Sequence, residues 1–337
     1  AATKRPSPLK GGTTGGPPSA RANLQTLAVA RPRKSKAGPT TVAGQRLTSP
    51  DKILWPEAGL TKLDLATYFD EFSAHLLPHV KDRPLSIVRC PEGYSHECFF
   101  QKHHNPSTPD SIETVSIKEK DGGRADYLII RSKAGLVGCA QISGMELHAW
   151  GSREDKLEFP ERIVFDLDPD MDLDFERVRS AAIELRDILD SVGLKTFPLL
   201  TGGKGIHVIA PIARTQPWEK VKAFARGLAV MVAKSAPQRY IAQASKAKRE
   251  GRIFLDWLRN ERGATAIAPF SPRARANAPV ATPVSWKELP AFDTAAAFTM
   301  KTIGARLSKL RTDPWKGYAE ASRQALKAAA IEAVAEN

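Results

Sequence analysis

The stretch Arg162-Ile-Val-Phe-Asp-Leu-Asp-Pro169 combines a short apolar strand with two aspartates. Side chains alternate along a β-strand, so Asp166 and Asp168 point to one face while Phe165 and Leu167 face the core. Two carboxylates on one edge favour the binding of a divalent metal ion. This stretch therefore predicts a strand that ends at a metal site.

A third aspartate, Asp256, lies in a later strand-like run, Arg252-Ile-Phe-Leu-Asp-Trp257. Alternation places it on the face opposite to Leu255 and Trp257. Three carboxylates that converge from two strands would hold two divalent ions about 3.5 to 4 Å apart, one at an attacking hydroxyl and one at a leaving group. For Asp256 taken alone, an ordinary surface aspartate is an open alternative.

Between these runs lies a glycine-rich turn, Thr201-Gly-Gly-Lys-Gly-Ile-His207. It offers backbone N–H groups, the Lys204 ammonium and the His207 imidazole to an anion. A Walker A loop would require Gly and Ser or Thr at positions that hold Pro198 and Gly205, so the turn is not a P-loop. A phosphate cradle beside a metal site indicates nucleotidyl or phosphoryl transfer, although Gly-Gly-Lys-Gly alone is also typical of a hairpin turn.

The acidic run from Asp166 to Asp174 also resembles a calcium loop. An EF-hand loop requires Gly at its sixth place and Glu at its twelfth, where this chain has Met171 and Arg177. A phosphatase of the haloacid dehalogenase type requires Thr at the fifth place, which holds Asp170. Solvated turn carboxylates without a function are an open alternative.

The charge balance favours a polyanionic partner. The chain has 50 Lys and Arg against 37 Asp and Glu, a net charge of +13. Residues 1–46 contain nine of the basic residues and no acidic residue, so an excess of about four belongs to the remainder. This distribution predicts a focused basic groove rather than a uniformly basic surface, with nucleic acid as the simplest partner.

The chain has three cysteines, Cys90, Cys98 and Cys139. An odd and sparse set is more typical of a reducing cytosol than of a disulfide framework, and the spacing of the neighbouring histidines matches no closed zinc site. No apolar stretch approaches the roughly 18 residues of a membrane span. We therefore expect a cytoplasmic, nucleoid-associated protein without a membrane partner.

The chain divides into three parts by composition. Residues 1–45 are rich in Gly, Pro and basic residues, which predicts a disordered basic linker. Residues 46–318 form the predicted catalytic unit, in which a capping box at Thr61 predicts a helix that ends before Pro78. Residues 319–337 predict an Ala-rich helix or tail that is loosely held. Strands and helices alternate without strict βαβ repetition, which predicts an α+β fold.

The string Glu119-Lys-Asp-Gly-Gly-Arg124 imitates the lysine signature of covalent nucleotidyltransferases such as DNA ligases. The position of the nucleophile holds Glu119, and a carboxylate cannot supply the lysine amine that becomes nucleotidylated. We therefore expect no ligase activity from this chain.

Three motifs occur in the order found in the polymerase domain of bacterial DNA ligase D, and the chain resembles that family. They are Asp-Leu-Asp-Pro at 166–169, Thr-Gly-Gly-Lys-Gly-Ile-His at 201–207 and Phe-Leu-Asp-Trp at 254–257. The family belongs to the archaeo-eukaryotic primase superfamily and serves non-homologous end joining. The resemblance covers about residues 46–318. It implies a primase-like polymerase domain there, with central mixed or antiparallel sheets flanked by helices.

The resemblance also assigns the residues of a nucleotide site. It implies that Asp166, Asp168 and Asp256 are catalytic and bind two divalent ions, manganese or magnesium. Thr201 stands where relatives often have Ser, which retains the hydroxyl. The residues implied to contact the nucleoside triphosphate are His148, Thr201, Gly202, Gly203, Lys204, His207 and Arg273.

A second group of matched residues faces DNA in the family. Lys52 and Lys62 resemble the lysines that hold a 5′-phosphate across a gap or break. Phe99 and Phe100 resemble the pair that stacks on the template or on the end of the duplex. Arg89 is a weaker candidate for backbone contacts to the same strand.

The implied activity is the addition of nucleotides, with ribonucleotides preferred, to 3′-hydroxyl ends at gaps and double-strand breaks. The implied partners are broken duplexes with a 5′-phosphate, the ligase and phosphoesterase modules of the same polypeptide, and the bacterial Ku homodimer. The basic amino-terminal segment resembles an interdomain linker, so we expect the C-terminal module of a longer ligase, with a stand-alone polymerase as the alternative. Two other functions stay open: a catalytically silent module that binds DNA ends, and a primase that starts chains de novo.

Overall fold

A computed structural model describes residues 40–119, 121–245 and 249–335. Their α-helices are α1 (Lys62–Glu71), α2 (Ser73–Val80), α3 (Lys133–Gln141), α4 (Phe175–Ser191), α5 (Trp218–Ser235), α6 (Ile303–Lys309), α7 (Tyr318–Ala321) and α8 (Ala328–Ala335). Within this part of the chain, no helix is both long and apolar enough to span a membrane.

The strands of the same residues are mostly short. They are β1 (Thr41–Val42), β2 (Gln45–Arg46), β3 (Ile53–Trp55), β4 (Leu60–Thr61), β5 (Leu85–Arg89), β6 (Phe99–Gln101), β7 (Glu113–Lys118), β8 (Arg124–Ile129), β9 (Gly144–Trp150), β10 (Arg162–Pro169), β11 (Phe197–Leu200), β12 (Ile206–Pro211), β13 (Tyr240–Ile241), β14 (Ile253–Asp256), β15 (Thr265–Ile267) and β16 (Thr282–Pro283). Three pairs, β1 with β2, β3 with β4 and β7 with β8, form separate antiparallel hairpins.

A six-stranded sheet has the order β13-β14-β10-β12-β11-β16. Its pairs are antiparallel except β13 with β14, which makes the sheet mixed. On one face, Phe165 and Leu167 of β10 are fully buried in a core shared with α4, α5 and α8. Burial of such a side chain contributes about 1.5 to 3 kcal/mol. The acidic strand predicted from the sequence is thus a central strand of this sheet, held in place from both sides.

A four-stranded antiparallel sheet has the order β15-β9-β5-β6. Ile87 of β5 and Leu147 of β9 are buried against apolar side chains of α1, including Leu65 and Phe69. Two sheets, each covered by helices, confirm the predicted α+β class with mixed and antiparallel sheets.

The first helix ends before Pro78 as predicted, but a second helix that was not predicted follows it and contains that proline. The capping box is confirmed: the Thr61 backbone N–H donates to Asp64 Oδ2 over 2.7 Å, and the Asp64 backbone N–H donates to Thr61 Oγ1 over 3.2 Å. The helix ends at Glu71, however, and α2 continues through Pro78 to Val80. Pro78 lies in the last turn of α2, so it removes one intrahelical hydrogen bond without breaking the helix.

The carboxyl-terminal helix is held more closely than its composition predicts. Leu326, Ile331 and Val334 are buried in the core of the six-stranded sheet. A Cβ atom added to Gly227 of α5 would overlap the Val334 carbonyl, which shows how closely the two helices approach. Small side chains permit that approach, and the hydrophobic pattern of an Ala-rich helix is too weak to reveal it. The expected linker lies outside the described residues, except that 41–42 and 45–46 pair as a hairpin.

The cysteines differ from the expectation that they remain reduced and unpaired. Cys90 follows β5 and Cys98 precedes β6, and the two form a disulfide with their Cα atoms 4.4 Å apart. Cys139 is free and buried. The antiparallel pairing of β5 with β6 brings the ends of this loop together, and a count of cysteines does not contain that information.

Candidate functional site

The central strand β10 places Asp166 between two functional candidates from neighbouring strands. Asp166 is in register with Asp256 of β14 on one side and with His207 of β12 on the other. His207 is buried, and its Nε2 lies 3.5 Å from Asp166 Oδ2. Asp168 lies two residues along the same strand and therefore on the same face. The structure thus brings the three predicted carboxylates to one face of the sheet.

Two arginines that the sequence did not single out pair with these carboxylates. Arg259 lies 3.1 Å from Asp166 Oδ2 through Nη2 and 3.3 Å from Asp256 Oδ2 through Nε. Arg249 pairs with Asp168. Arg259 follows Asp256 by three residues in a short 3-10 helix, a spacing that could have indicated the contact. The guanidinium groups of Arg249 and Arg259 therefore lie where positive charge is needed to balance the three aspartates.

The donor set fits divalent metal ions. Burial alone would raise the pKa of Asp166, but His207 and Arg259 outweigh it and lower that pKa below its ordinary value. For Asp256, burial and the charge of Asp166 raise the pKa despite Arg259. A buried carboxylate with a raised pKa lacks enough positive charge around it, and carboxylate oxygens are the ligands preferred by magnesium and manganese. In the present arrangement, no three acidic, His or Cys groups among the described residues surround one metal position.

The glycine-rich turn connects β11 to β12 and lies against the acidic strand. Thr201 Oγ1 donates to the Gly205 carbonyl over 2.8 Å and accepts from the Gly203 backbone N–H over 3.3 Å. Gly202 has φ of +69°, which favours glycine, and a Cβ atom on Gly205 would overlap the Leu167 carbonyl. The glycines are therefore required for the turn to approach β10 this closely.

A polar cavity of about 240 Å³ lies between the turn and the two sheets. It contains most of the nucleotide-site residues predicted above, together with Arg259 and Arg275, which were not predicted. Asp256 and Gly202 adjoin the cavity rather than line it. The predicted residues that line the cavity are His148, Asp166, Asp168, Thr201, Gly203, Lys204, His207 and Arg273.

Glu146 is a functional candidate that the sequence reasoning missed. This buried carboxylate accepts from His148 Nε2 over 2.8 Å and from the Ala274 backbone N–H over 2.8 Å, and it lies 3.1 Å from Arg273 Nε. Burial alone would raise its pKa, but the hydrogen bond from His148 and the charge of Arg273 lower the pKa to about 2. Glu146 precedes His148 by two residues on β9, so strand alternation could have indicated that both share a face.

Glu146 orients both His148 and Arg273 at the cavity. Burial lowers the pKa of His148, so the imidazole is neutral near pH 7. A neutral imidazole that meets a carboxylate through Nε2 has its proton on that nitrogen, which leaves Nδ1 as an acceptor. The guanidinium of Arg273 donates through Nη1 to the Thr201 carbonyl over 2.6 Å. One carboxylate thus connects the four-stranded sheet to the glycine-rich turn.

The lysines matched to a 5′-phosphate site lie close together. The Lys62 backbone N–H donates to the Lys52 carbonyl over 2.9 Å. Burial, followed by the charges of Lys52 and Arg89, lowers the pKa of Lys62, which shows that three cations share this region. Lys52 pairs with Glu92 over 2.7 Å, and the buried Lys62 donates to the Gln141 carbonyl over 3.1 Å.

The two adjacent phenylalanines of β6 point to opposite faces of the four-stranded sheet. They are 44% and 66% exposed for Phe99 and Phe100, respectively, so neither is a core residue. The Phe99 ring lies 5.3 Å from the Arg89 guanidinium, on the side of the lysines. The Phe100 ring lies 5.6 Å from the His148 ring, on the side of the cavity. The structure therefore separates the pair between the two candidate sites.

The string that imitates a ligase signature forms the turn between β7 and β8. Glu119, at the position of the nucleophile, accepts from the Tyr127 hydroxyl over 2.6 Å. Arg124, at the other end of the string, donates to the Ser116 carbonyl on the facing strand over 2.8 Å. Lys120 lies outside the described residues. These contacts give the string a place in a hairpin.

Comparisons with known proteins agree with this geometry. The family model described as "LigD, primase-polymerase domain" matches residues 61–315. The chain is 37% identical over 300 residues to the multifunctional non-homologous end joining protein LigD of Pseudomonas aeruginosa, a match that covers 88% of this chain and 36% of that protein. It is 31% identical over 265 residues to the bifunctional non-homologous end joining protein LigD of Bacillus subtilis, covering 78% and 42%.

A solved structure is similar as well. The polymerase domain from Mycobacterium tuberculosis Ligase D in complex with DNA superposes with a TM-score of 0.73 at 30% identity, covering 81% of this chain and 96% of that one. The chain spans well under half of the length of the two LigD proteins described above. The similarity is therefore to one domain of a longer protein.

Proposed function

The chain belongs to the family of LigD primase-polymerase domains, and from this premise we propose that it extends 3′-hydroxyl ends of broken or gapped DNA by nucleotidyl transfer. The observation that supports this most directly is the cavity in which Asp166 and Asp168 face Lys204 and the glycine-rich turn. Carboxylates for metal beside donors for phosphate are what a nucleoside triphosphate requires. We further propose that ribonucleotides are the preferred substrates.

The proposed site residues have two kinds of role: some would bind the metal ions and the triphosphate, and others would hold those residues in place. Two divalent ions, manganese or magnesium, held by Asp166, Asp168 and Asp256 would activate the 3′-hydroxyl and stabilise the departing diphosphate. Lys204, Arg273 and the amides of Gly202 and Gly203 would bind the triphosphate, and His207 would support Asp166. Arg249 and Arg259 would leave the carboxylates when metal binds, since both types of cation occupy the same oxygens.

In this proposal, His148 would contact the sugar of the nucleotide. Its Nδ1 is the acceptor nitrogen because Nε2 donates to Glu146 over 2.8 Å. An acceptor at this point would discriminate a ribose hydroxyl from a deoxyribose hydrogen, since an acceptor left without its donor loses a hydrogen bond. This is the feature that supports a ribonucleotide preference.

We also propose DNA and protein partners for this chain. Lys52, Lys62 and Arg89 would bind the 5′-phosphate of a gap, and Phe99 and Phe100 would stack on exposed bases. Residues 46–318 would act as the polymerase domain, joined through the basic segment 1–45 to ligase and phosphoesterase modules and acting with bacterial Ku at DNA ends in the nucleoid. The chain itself would not ligate.

Primer extension tests the proposed function. The substrate is a duplex with a short gap and a 5′-phosphate, supplied with manganese and a ribonucleoside triphosphate. We expect the primer to grow by the gap length, and less with the matching deoxyribonucleotide. Omission of the primer should abolish synthesis, because the proposed enzyme needs a 3′-hydroxyl. Synthesis without a primer would favour a primase, and DNA binding without extension would favour a silent end-binding module.

Replacement of Lys52 by Gln is expected to reduce the preference for a phosphorylated gap. A charge-assisted hydrogen bond from the partly buried Lys52 to phosphate would contribute about 1.5 to 3 kcal/mol, so extension of the phosphorylated substrate should fall by roughly tenfold or more at low DNA concentration. Extension of the same gap with a 5′-hydroxyl should hardly change. Rates on the two substrates, compared at equal ionic strength, measure the effect.

Lys133→Gln is the matched control for this substitution. Lys133 is an exposed lysine that pairs with Asp70 over 2.9 Å and is not among the candidates for DNA contact. We expect it to keep the wild-type ratio of rates on the two substrates. The assignment of Lys52 would be wrong if wild-type protein extended phosphorylated and unphosphorylated gaps equally well.

A further inference from the structure

A second cavity, of about 600 Å³, lies at the end of the six-stranded sheet opposite to the nucleotide cavity. Strand β10 joins the two: Arg162 at its start lines the second cavity, and Asp166 lines the first. Four residues of extended strand span about 13 Å, so the cavities are separate. The arginines that line the second cavity are Arg83, Arg153, Arg162, Arg214 and Arg323.

The charges around this cavity are not balanced. Glu161 is the one carboxylate in its lining among the described residues, and it pairs with Arg83 and, over 3.2 Å, with Arg153. Arg214 pairs with Asp155, outside the lining. Within the part of the chain that the structure describes, Arg162 and Arg323 have no ion pair. Positive charge that is removed from water is costly unless an anion compensates it.

Several N–H donors at this cavity also lack an acceptor. Arg83 and Arg162 are 3% and 5% exposed. Their terminal nitrogens donate to the Trp150 carbonyl over 3.2 and 3.0 Å, which fixes both guanidinium groups without neutralising them. The Nε atoms of Arg83, Arg162 and Arg214 are buried and have no hydrogen-bond partner among the described residues.

The pKa of a neighbouring histidine is lowered by the same positive charges. His79 is partly buried beside these arginines, and its pKa falls to about 3 through desolvation and then through the charges of Arg162, Arg83 and Arg153. The histidine is therefore neutral and does not supply a further charge. The cavity combines volume, excess positive charge and unpaired donors.

We propose that this second cavity binds a small phosphate anion, either orthophosphate or diphosphate. A guanidinium group presents paired N–H donors that match the oxygens of phosphate, and five such groups converge here. The site is independent of the nucleotide cavity and of the proposed polymerase activity. A DNA phosphate has the same chemistry, and a direct comparison of the two sources is part of the test.

The test is isothermal titration of the full chain with orthophosphate and with diphosphate, in a chelator and at constant ionic strength. The variant Arg214→Gln with Arg323→Gln removes two partly or fully exposed arginines and leaves the buried ones in place. We expect binding in the wild type at a site whose affinity falls by roughly tenfold or more in the variant, because charge-assisted contacts are lost. Arg186→Gln, which removes an arginine paired with Asp187 elsewhere, should bind as the wild type does.

Two further arms decide the location and the source of the phosphate. In Lys204→Gln, which weakens the nucleotide cavity, phosphate binding at the second cavity should remain, and loss of all phosphate binding in that variant would place the anion in the nucleotide cavity and overturn the proposal. Equal affinity of the double variant and the wild type would also overturn it. A 5′-phosphorylated oligonucleotide should not displace diphosphate from the wild type. Displacement that disappears in the double variant would identify nucleic acid, instead of a free anion, as the occupant.

Discussion

Simultaneous replacement of Asp166 and Asp168 by Asn is expected to reduce primer extension by at least about a thousandfold, since metal ions contribute several kcal/mol of transition-state stabilisation and each 1.4 kcal/mol is a factor of ten. The substitution keeps the size of the side chains and removes the two negative charges in the lining of the cavity. Single-turnover extension of a gapped duplex with saturating nucleotide and manganese measures the effect.

A matched control separates the lost site from a general loss of acidic charge. Asp172→Asn changes an exposed aspartate in the turn after β10 and should extend at the wild-type rate. Fluorescence anisotropy should show that the double variant still binds gapped DNA, because the candidate DNA contacts lie outside β10, on other elements of the fold. Extension by the double variant at the wild-type rate would mean that these carboxylates do not hold the catalytic ions.

Replacement of Glu146 by Gln is expected to raise the KM for the nucleotide by roughly tenfold to a hundredfold, since hydrogen bonds to charged groups contribute about 1.5 to 3 kcal/mol. Glutamine is uncharged and keeps one acceptor oxygen, so it can accept at only one of the two carboxylate positions, and its NH2 group cannot accept from His148 or from Arg273. His148 and Arg273 would therefore lose their common anchor, while the catalytic carboxylates stay intact. We expect kcat to change less than KM, because Glu146 acts through two binding residues.

Glu184→Gln is the control for this prediction. Glu184 also joins two partners, Arg239 and Tyr240, but it lies on α4 away from the nucleotide cavity. It should leave both kinetic constants unchanged. An unchanged KM in Glu146→Gln, with the protein folded, would show that the buried carboxylate has no part in positioning the nucleotide site.

The stability of the wild type and of Glu146→Gln at acidic pH provides a second measurement. Folding lowers the pKa of Glu146 to about 2, so its contribution to stability is present above the ordinary pKa of Glu and is lost as the pH falls towards 2. Thermal midpoints between pH 5 and pH 3, in that acidic range, should therefore fall more steeply for the wild type than for Glu146→Gln. Parallel curves would show that the carboxylate is not charged in the folded protein.

The sequence predicted the acidic strand and its family well because both depend on local patterns. Alternation along β10 and the order of three motifs are visible in one dimension, and the family match confirms the recognition. The convergence of Asp256 on Asp166 was also predicted, although the cross-strand register that produces it appears only in the folded sheet. Helix α2 shows the limit of a breaker rule, since Pro78 is tolerated in a last turn.

The residues that were missed act through contacts distant in sequence. Glu146 is recognised by its bond to the Ala274 backbone, 128 residues later, and Arg249 by its pairing with Asp168 across 81 residues. The disulfide between Cys90 and Cys98 depends on the antiparallel pairing of β5 with β6, which brings the two ends of the connecting loop together. The partner of a charged group or of a thiol cannot be identified from the sequence when it lies far along the chain, so the role of such a residue becomes visible only in the folded structure.

The connection between α3 and β9 has a consequence for the length of the gap. Lys62 donates to the Gln141 carbonyl and Arg89 donates to the Ile142 carbonyl, immediately before the strand that contains His148. With the proposed roles, two residues that would bind the 5′-phosphate are anchored to carbonyls just before β9, and His148 on β9 would contact the incoming nucleotide. The spacing between them cannot adjust as a loop would, so β9 would act as a ruler that measures how many nucleotides are missing.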